Sequence, residues 1–207
     1  GMVIKNAIDM ENLCTCRDSR EWGKICAHVV GVGLHWIQQQ KGSTHPASAP
    51  GVTRASVGVQ SLDDDALVRL GRCHDSAAAR SAIRAAADAG LAVSADLICG
   101  IPGVSAEAWE RSLRGVVEAG ATHVSVYPLT VEPNTPLARA IAAGEASMPD
   151  EDATVDSMNA AARILGSLGF ERYEVANYAM PGRRSRHNIA YWTGKPYMAV
   201  GGGAHGM

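Results

Sequence analysis

Aromatic side chains are scarce: four Trp, five Tyr and a single Phe make up 5% of the sequence. That excludes an aromatic-rich β sandwich, and the abundance of Ala and Gly favours closely packed helices instead. Charge of one sign is also missing. The formal net charge is −2, so the whole molecule has no field to gather nucleic acid or an anionic membrane. No apolar run approaches the ~20 residues of a membrane-spanning helix. Residues Gly1 to Met10 lack the basic start, apolar stretch and small-residue cleavage site of a secretory signal. A cytoplasmic, reducing location is the expectation. Five cysteines, an odd number, argue against a closed disulfide framework.

What is present divides into two unlike parts. Residues 1–40 form a compact stretch bearing Cys and His. Residues 41–51, rich in Gly, Ser, Ala and Pro, cannot bury apolar surface and read as a linker. From Val52 to Met207, short β-branched runs alternate with longer alanine-rich segments. Strands are expected at Val52–Val59, Val93–Cys99, His123–Tyr127 and Tyr173–Ala176. Helices are expected at Asp63–Leu70, Ser76–Ala89, from Ser105 to Ala119, and from Pro149 to Leu168, with Gly71, Gly90, Gly120 and Gly169 as stops. Strand, helix, strand is the grammar of a parallel sheet, so the fold class is α/β. Periodicity alone does not separate a doubly wound sheet from a barrel.

In the first part, Cys14-Thr15-Cys16 is followed after nine residues by Cys26-Ala27-His28. Residues two apart in an extended segment point to one side, so each pair presents two ligands together. Cys14, Cys16, Cys26 and His28 make a closed tetrahedral set for a structural zinc ion. The apolar stretch from Val29 to Ile37 follows as an amphipathic helix. Cys14 to Ile37 thus resembles a SWIM-type zinc finger, which implies a DNA or protein partner. Through Lys41, five basic residues face four acidic ones, a balance that offers little phosphate affinity.

In the second part, polar residues fall at or near the carboxyl ends of the expected strands: Gln60, Arg72, Asp96 and Thr130. That end is the active face of βα barrels. An Asp, a Gln and an Arg there suit a polar, zwitterionic ligand; equally, Asp96 and Arg72 suit helix caps or a mutual ion pair. Cys99, in an apolar run, reads as a small buried hydrophobe.

The stretches Ser56-Val57-Gly58-Val59-Gln60-Ser61, Gly71-Arg72-Cys73-His74 and Asp96-Leu97-Ile98-Cys99-Gly100-Ile101-Pro102-Gly103 occur in order. Ser125 to Pro136, Tyr173-Glu174-Val175-Ala176-Asn177 and His187-Asn188-Ile189-Ala190-Tyr191-Trp192 follow them. Together they resemble the radical S-adenosylmethionine (radical SAM) family of oxygen-independent coproporphyrinogen III oxidase, in particular its HemW-type haem-chaperone branch. The resemblance implies a partial (βα) barrel over residues 52–207, preceded by the small zinc module. It also implies S-adenosylmethionine contacts at Gln60, Arg72, Asp96, Thr130 and His205, with His187, Tyr191 and Trp192 facing a porphyrin or haem. The family's chemistry requires a 4Fe–4S cluster on C-x-x-x-C-x-x-C, a spacing this sequence does not contain. A chain not active by itself is therefore expected. The alternative is a DNA- or protein-binding zinc module joined to a non-catalytic barrel remnant.

Overall fold

The computed structural model describes residues 3–4, 10–11 and 53–197. The Cys/His module and His205 lie outside these residues. Near the start, β1 (Val3–Ile4) and β2 (Met10–Glu11) form a two-residue antiparallel pair. The remainder is one α/β unit in the order β3 (Arg54–Gln60), α1 (Asp64–Arg69), α2 (Ser76–Asp88), β4 (Ala92–Cys99), α3 (Ala106–Glu118), β5 (His123–Pro128), α4 (Pro136–Ala142), α5 (Glu151–Ser167), β6 (Glu171–Arg172), β7 (Asn177–Ala179), α6 (Arg186–Trp192).

Local chemistry fixes the helix starts. Asp63, Asp75, Ser105, Thr135, Asp150 and Ser185 each accept a hydrogen bond from the backbone N–H three residues on. Each such cap contributes about 1 kcal/mol. The four glycines expected as helix stops all adopt positive φ. Among the described residues, no helix is long and apolar enough to cross a membrane.

The sheet runs β3-β4-β5-β7-β6. Its first three strands are parallel, while β7 pairs antiparallel with β5 and with β6. Two expectations change here. Tyr173–Ala176 is not a strand: Glu174 closes a turn, accepting hydrogen bonds on one carboxylate oxygen from the Ala176 N–H (3.0 Å) and the Asn177 side-chain amide (2.6 Å). The strands lie on either side of it, and antiparallel. The helices α4 and α6 were not anticipated; neither buries a single residue fully, so neither leaves a strong apolar stripe in the sequence.

The two faces of the sheet differ in chemistry. Ala55, Val59, Val93, Ala95, Leu97, Cys99, Val124 and Val126 alternate along the strands and pack on Ala79, Ile83, Trp109, Leu113, Val116, Ile164 and Leu165 of the helices. Two cross-links tie the helical layer together. Trp109 Nε1 donates to the Ser157 carbonyl (2.8 Å), and Arg80 Nη1 donates to the Gly115 carbonyl (3.1 Å). The intervening strand positions, Arg54, Ser56, Ser94, Asp96, His123, Ser125 and Asn177, face the other way. This face carries the polar groups.

Candidate functional site

Period-two alternation puts Ser56, Asp96 and Ser125 at adjacent points on the polar face. Asp96 is the register partner of Ser125, and Ser56 sits one pair away, opposite Ser94. Ser56 Oγ donates to the Asp96 carboxylate at 3.0 Å. Next to them, Ser125 Oγ donates to Asn177 Oδ1 (2.9 Å), and the Asn177 amide donates to Glu174 Oε2 (2.6 Å). This chain of bonds gives the Tyr-Glu-x-x-Asn stretch a physical role: it closes β7 onto β5 across the polar face. Burial alone would raise the Glu174 carboxyl. Donors from Asn177, Ala176 and Val175, with Arg172 nearby, outweigh it and hold the group below the usual range.

Tyr127, at the carboxyl end of β5, is 43% exposed. Burial of its hydroxyl raises its pKa. The nearby Asp96, Glu174 and Tyr173 push the same way, against a hydrogen bond with Ser125. The centre of the face therefore holds two carboxylates and a neutral phenol, an environment that favours a cationic group.

Toward the carboxyl ends of the strands, Gln60 ends β3 with φ +66°, at a shift in register against β4. A non-glycine residue held there carries about 1 kcal/mol or more of strain. Such strain is common where a side chain is aimed at a ligand. Arg72 follows α1, its N–H bonded to the Leu67 carbonyl at 2.8 Å. Its loop is packed against the end of β3, where His74 Nε2 lies 3.1 Å from the Val59 carbonyl. Arg72 Nε is buried and has no hydrogen-bond partner among the described residues. Burial lowers the pKa of this guanidinium, partly offset by Cys73. A cavity of about 270 Å³ opens at the same end of β4, lined in part by Ser61, Ile98, Gly100, Pro102, Met148 and Asp150.

Among the residues expected from sequence, Asp96 lies on the polar face at mid-strand, Gln60 ends the neighbouring β3 at a register shift against Leu97, and Arg72 follows in the loop after α1. Neither Asp96 nor Arg72 acts as a helix cap. Thr130 lies exposed two residues past β5. His187 and Tyr191 both meet Tyr197, with ring centroids 5.1 and 5.9 Å apart, while Trp192 packs against Tyr173 at 6.0 Å. Tyr191 and Trp192 remain exposed. Ser125, Tyr127, Glu174 and Asn177 were not singled out for a role. Ser125 and Tyr127 alternate with apolar residues along β5, a weak signal, while Glu174 and Asn177 lie in or beside a turn whose pairing is long-range.

Among the described residues, no group of three or more His, Cys, Asp and Glu is placed to hold a metal ion. The described cysteines do not suit an iron–sulfur cluster, which needs grouped thiolates. Cys73 is exposed, and the buried Cys99 thiol is pushed up to about 11 by burial in the core.

No family model matches the chain. It is 40% identical over 157 residues to heme chaperone HemW of Haemophilus influenzae, covering 75% of this chain and 40% of that one. With heme chaperone HemW of Mycobacterium tuberculosis the identity is 42% over 159 residues, 76% of this chain and 41% of that one. With radical S-adenosyl methionine domain-containing protein 1, mitochondrial, of Danio rerio it is 38% over 160 residues, 75% and 35% of the two chains. The chain thus spans about two-fifths of the length of the curated relatives it matches. Among solved structures, coproporphyrinogen III oxidase (HemN) from Escherichia coli, a radical SAM enzyme, superposes with a TM-score of 0.64 at 19% identity. The overlap covers 84% of this chain and 41% of that one. That likeness is one of fold, a mixed α/β architecture with a partial sheet.

Proposed function

We infer that this chain belongs to the radical SAM proteins related to oxygen-independent coproporphyrinogen III oxidase, on the haem-chaperone side, and carries part of their barrel. The observation that supports this best is the polar face of the sheet. It carries Asp96 at its centre; Gln60 ends the adjacent β3, and Arg72, whose Nε is buried without a partner among the described residues, follows in the loop after α1.

S-adenosylmethionine is a zwitterion with an added sulfonium charge and needs both signs of partner. Asp96, supported by Ser56, faces the cationic groups, and Arg72 offers N–H donors to the carboxylate. Gln60, Thr130 and His205 complete the set that the resemblance implies. Reductive cleavage of that ligand requires three clustered thiolates in a spacing absent from this sequence. A few hydrogen bonds, each worth about 1 kcal/mol net, hold the ligand only weakly without that anchor. The exposed rings of Tyr191 and Trp192, beside His187, offer a platform for a porphyrin plane.

Titration of the chain with haem tests the reading. A shifted Soret band with saturable stoichiometry is expected, weakened in His187→Ala. A chain indifferent to haem overturns it. Separately, Cys14, Cys16, Cys26 and His28 are proposed as a structural zinc site, for which elemental analysis should find about one zinc per chain. Stoichiometric iron and sulfide after anaerobic reconstitution would contradict that assignment.

A further inference from the structure

We propose that the amino-terminal edge of the sheet is an oxyanion site for a dianionic group, a phosphate or a pair of carboxylates. It lies at the opposite end of β3 from Gln60, where Arg54 and Ser94 of the polar face meet the loop before α6. Here Thr53, Arg54, Ala92, Arg183, Arg184 and Arg186 line a recess of about 180 Å³, with no acidic residue in its wall.

The recess is built rather than incidental. Arg54 is buried; its Nη1 donates to Ser94 Oγ (2.9 Å) and its Nη2 to the carbonyls of Arg183 (2.5 Å) and Arg184 (3.4 Å). These bonds fix the backbone of the arginine-bearing loop to the sheet edge. A second pin comes from Tyr173, whose hydroxyl accepts from the Ser185 N–H at 3.2 Å. Arg184 lies over the Tyr173 ring, 5.5 Å from its centroid, and pairs with Glu171 at 3.0 Å. Among the described residues, neither Arg183 nor Arg186 has an acidic partner. Guanidinium groups gathered around one recess repel one another, and an anion seated among them relieves that repulsion. Their planar forks of N–H donors match the geometry of phosphate and carboxylate oxygens. The volume is enough for such a group.

The test is calorimetry on the full chain and on R183Q/R186Q, with inorganic phosphate and pyrophosphate as probes. A parallel arm compares haem with its dimethyl ester. Both side chains are exposed, so the unliganded variant should melt with the wild type. Binding should weaken by about tenfold for each arginine removed. In the wild type it should also fall as sodium chloride rises, a readout that needs no variant. Phosphate binding lost in the variant assigns the site to phosphate groups. If phosphate is silent, a tenfold preference for haem over its ester, abolished in the variant, assigns it to porphyrin carboxylates. If neither probe responds to R183Q/R186Q, the proposal fails whatever the haem titration shows.

Discussion

His123 sits on the polar face, 1% exposed, with Nε2 2.7 Å from the Tyr173 hydroxyl and Nδ1 unpartnered among the described residues. Burial first, and then the charge of Arg54, pushes its pKa down to about 4. An unfolded chain restores a value near ~6.5. Below that pH the unfolded state binds the proton and the folded state does not. The contribution of neutral His123 is therefore complete above about pH 6.5 and declines as pH falls toward 4, by at most ~3 kcal/mol. Urea midpoints measured from pH 7.5 to 4.5 should decline in the wild type and decline less steeply in His123→Gln. Parallel slopes in the two proteins would show that this ring is not the titrating group. At this scale Asp96 and Arg72 were legible in the sequence as candidates, because a charge inside or beside an apolar run is conspicuous. The sequence pointed poorly to Ser125 and Asn177, which are individually bland and acquire meaning only when β7 folds back across 52 residues to join them.

Gly100, at the end of β4, shows how one position joins two elements. Its φ is +73°, and a Cβ built there meets the Thr154 side chain of α5. Thr154 Oγ1 is itself held by the Asp150 carbonyl at 2.6 Å, so it does not yield freely. Gly100→Ala should lower unfolding free energy by about 2 kcal/mol, combining backbone strain with the steric conflict. Adding Thr154→Ala should recover the steric share only, and a double-mutant cycle in chemical denaturation separates the two. Element boundaries were largely legible because capping residues and terminal glycines bracket β4, α2, α3 and α5. The segment after α5 was not. Tyr173 to Ala176 has the composition of a strand, but the Glu174 carboxylate captures the Ala176 N–H and the Asn177 amide. A side chain that satisfies the local backbone in this way replaces the ladder with a turn.

For the molecule as a whole, the sheet has one side clothed by helices and one margin, β3, paired only with β4 among the described residues. The strand Arg54–Gln60 contains no Pro or Lys to discourage further pairing, and such margins recruit other chains. Light scattering across a dilution series should show association at high concentration that reverses on dilution. A compact monomer at every concentration, with a sharp cooperative melt, would mean that this margin is already covered.

The strand order also has a meaning in time. β3, β4 and β5 are consecutive both in the chain and in the sheet, so that part can grow one strand at a time. β7 joins later, after α4 and α5 have intervened, and makes only three register pairs with β5. The longer loop costs only about half a kcal/mol more to close; the brevity of the strand is the greater handicap. β7 should therefore dock late and detach early, in an excursion smaller than global unfolding. In native-state hydrogen exchange, the amides of Asn177 to Ala179 should exchange well ahead of those of Val93 to Leu97. Each such excursion would break the Ser125–Asn177 bond, so the shape of the polar face around Ser125 would last only as long as one three-residue strand stays docked.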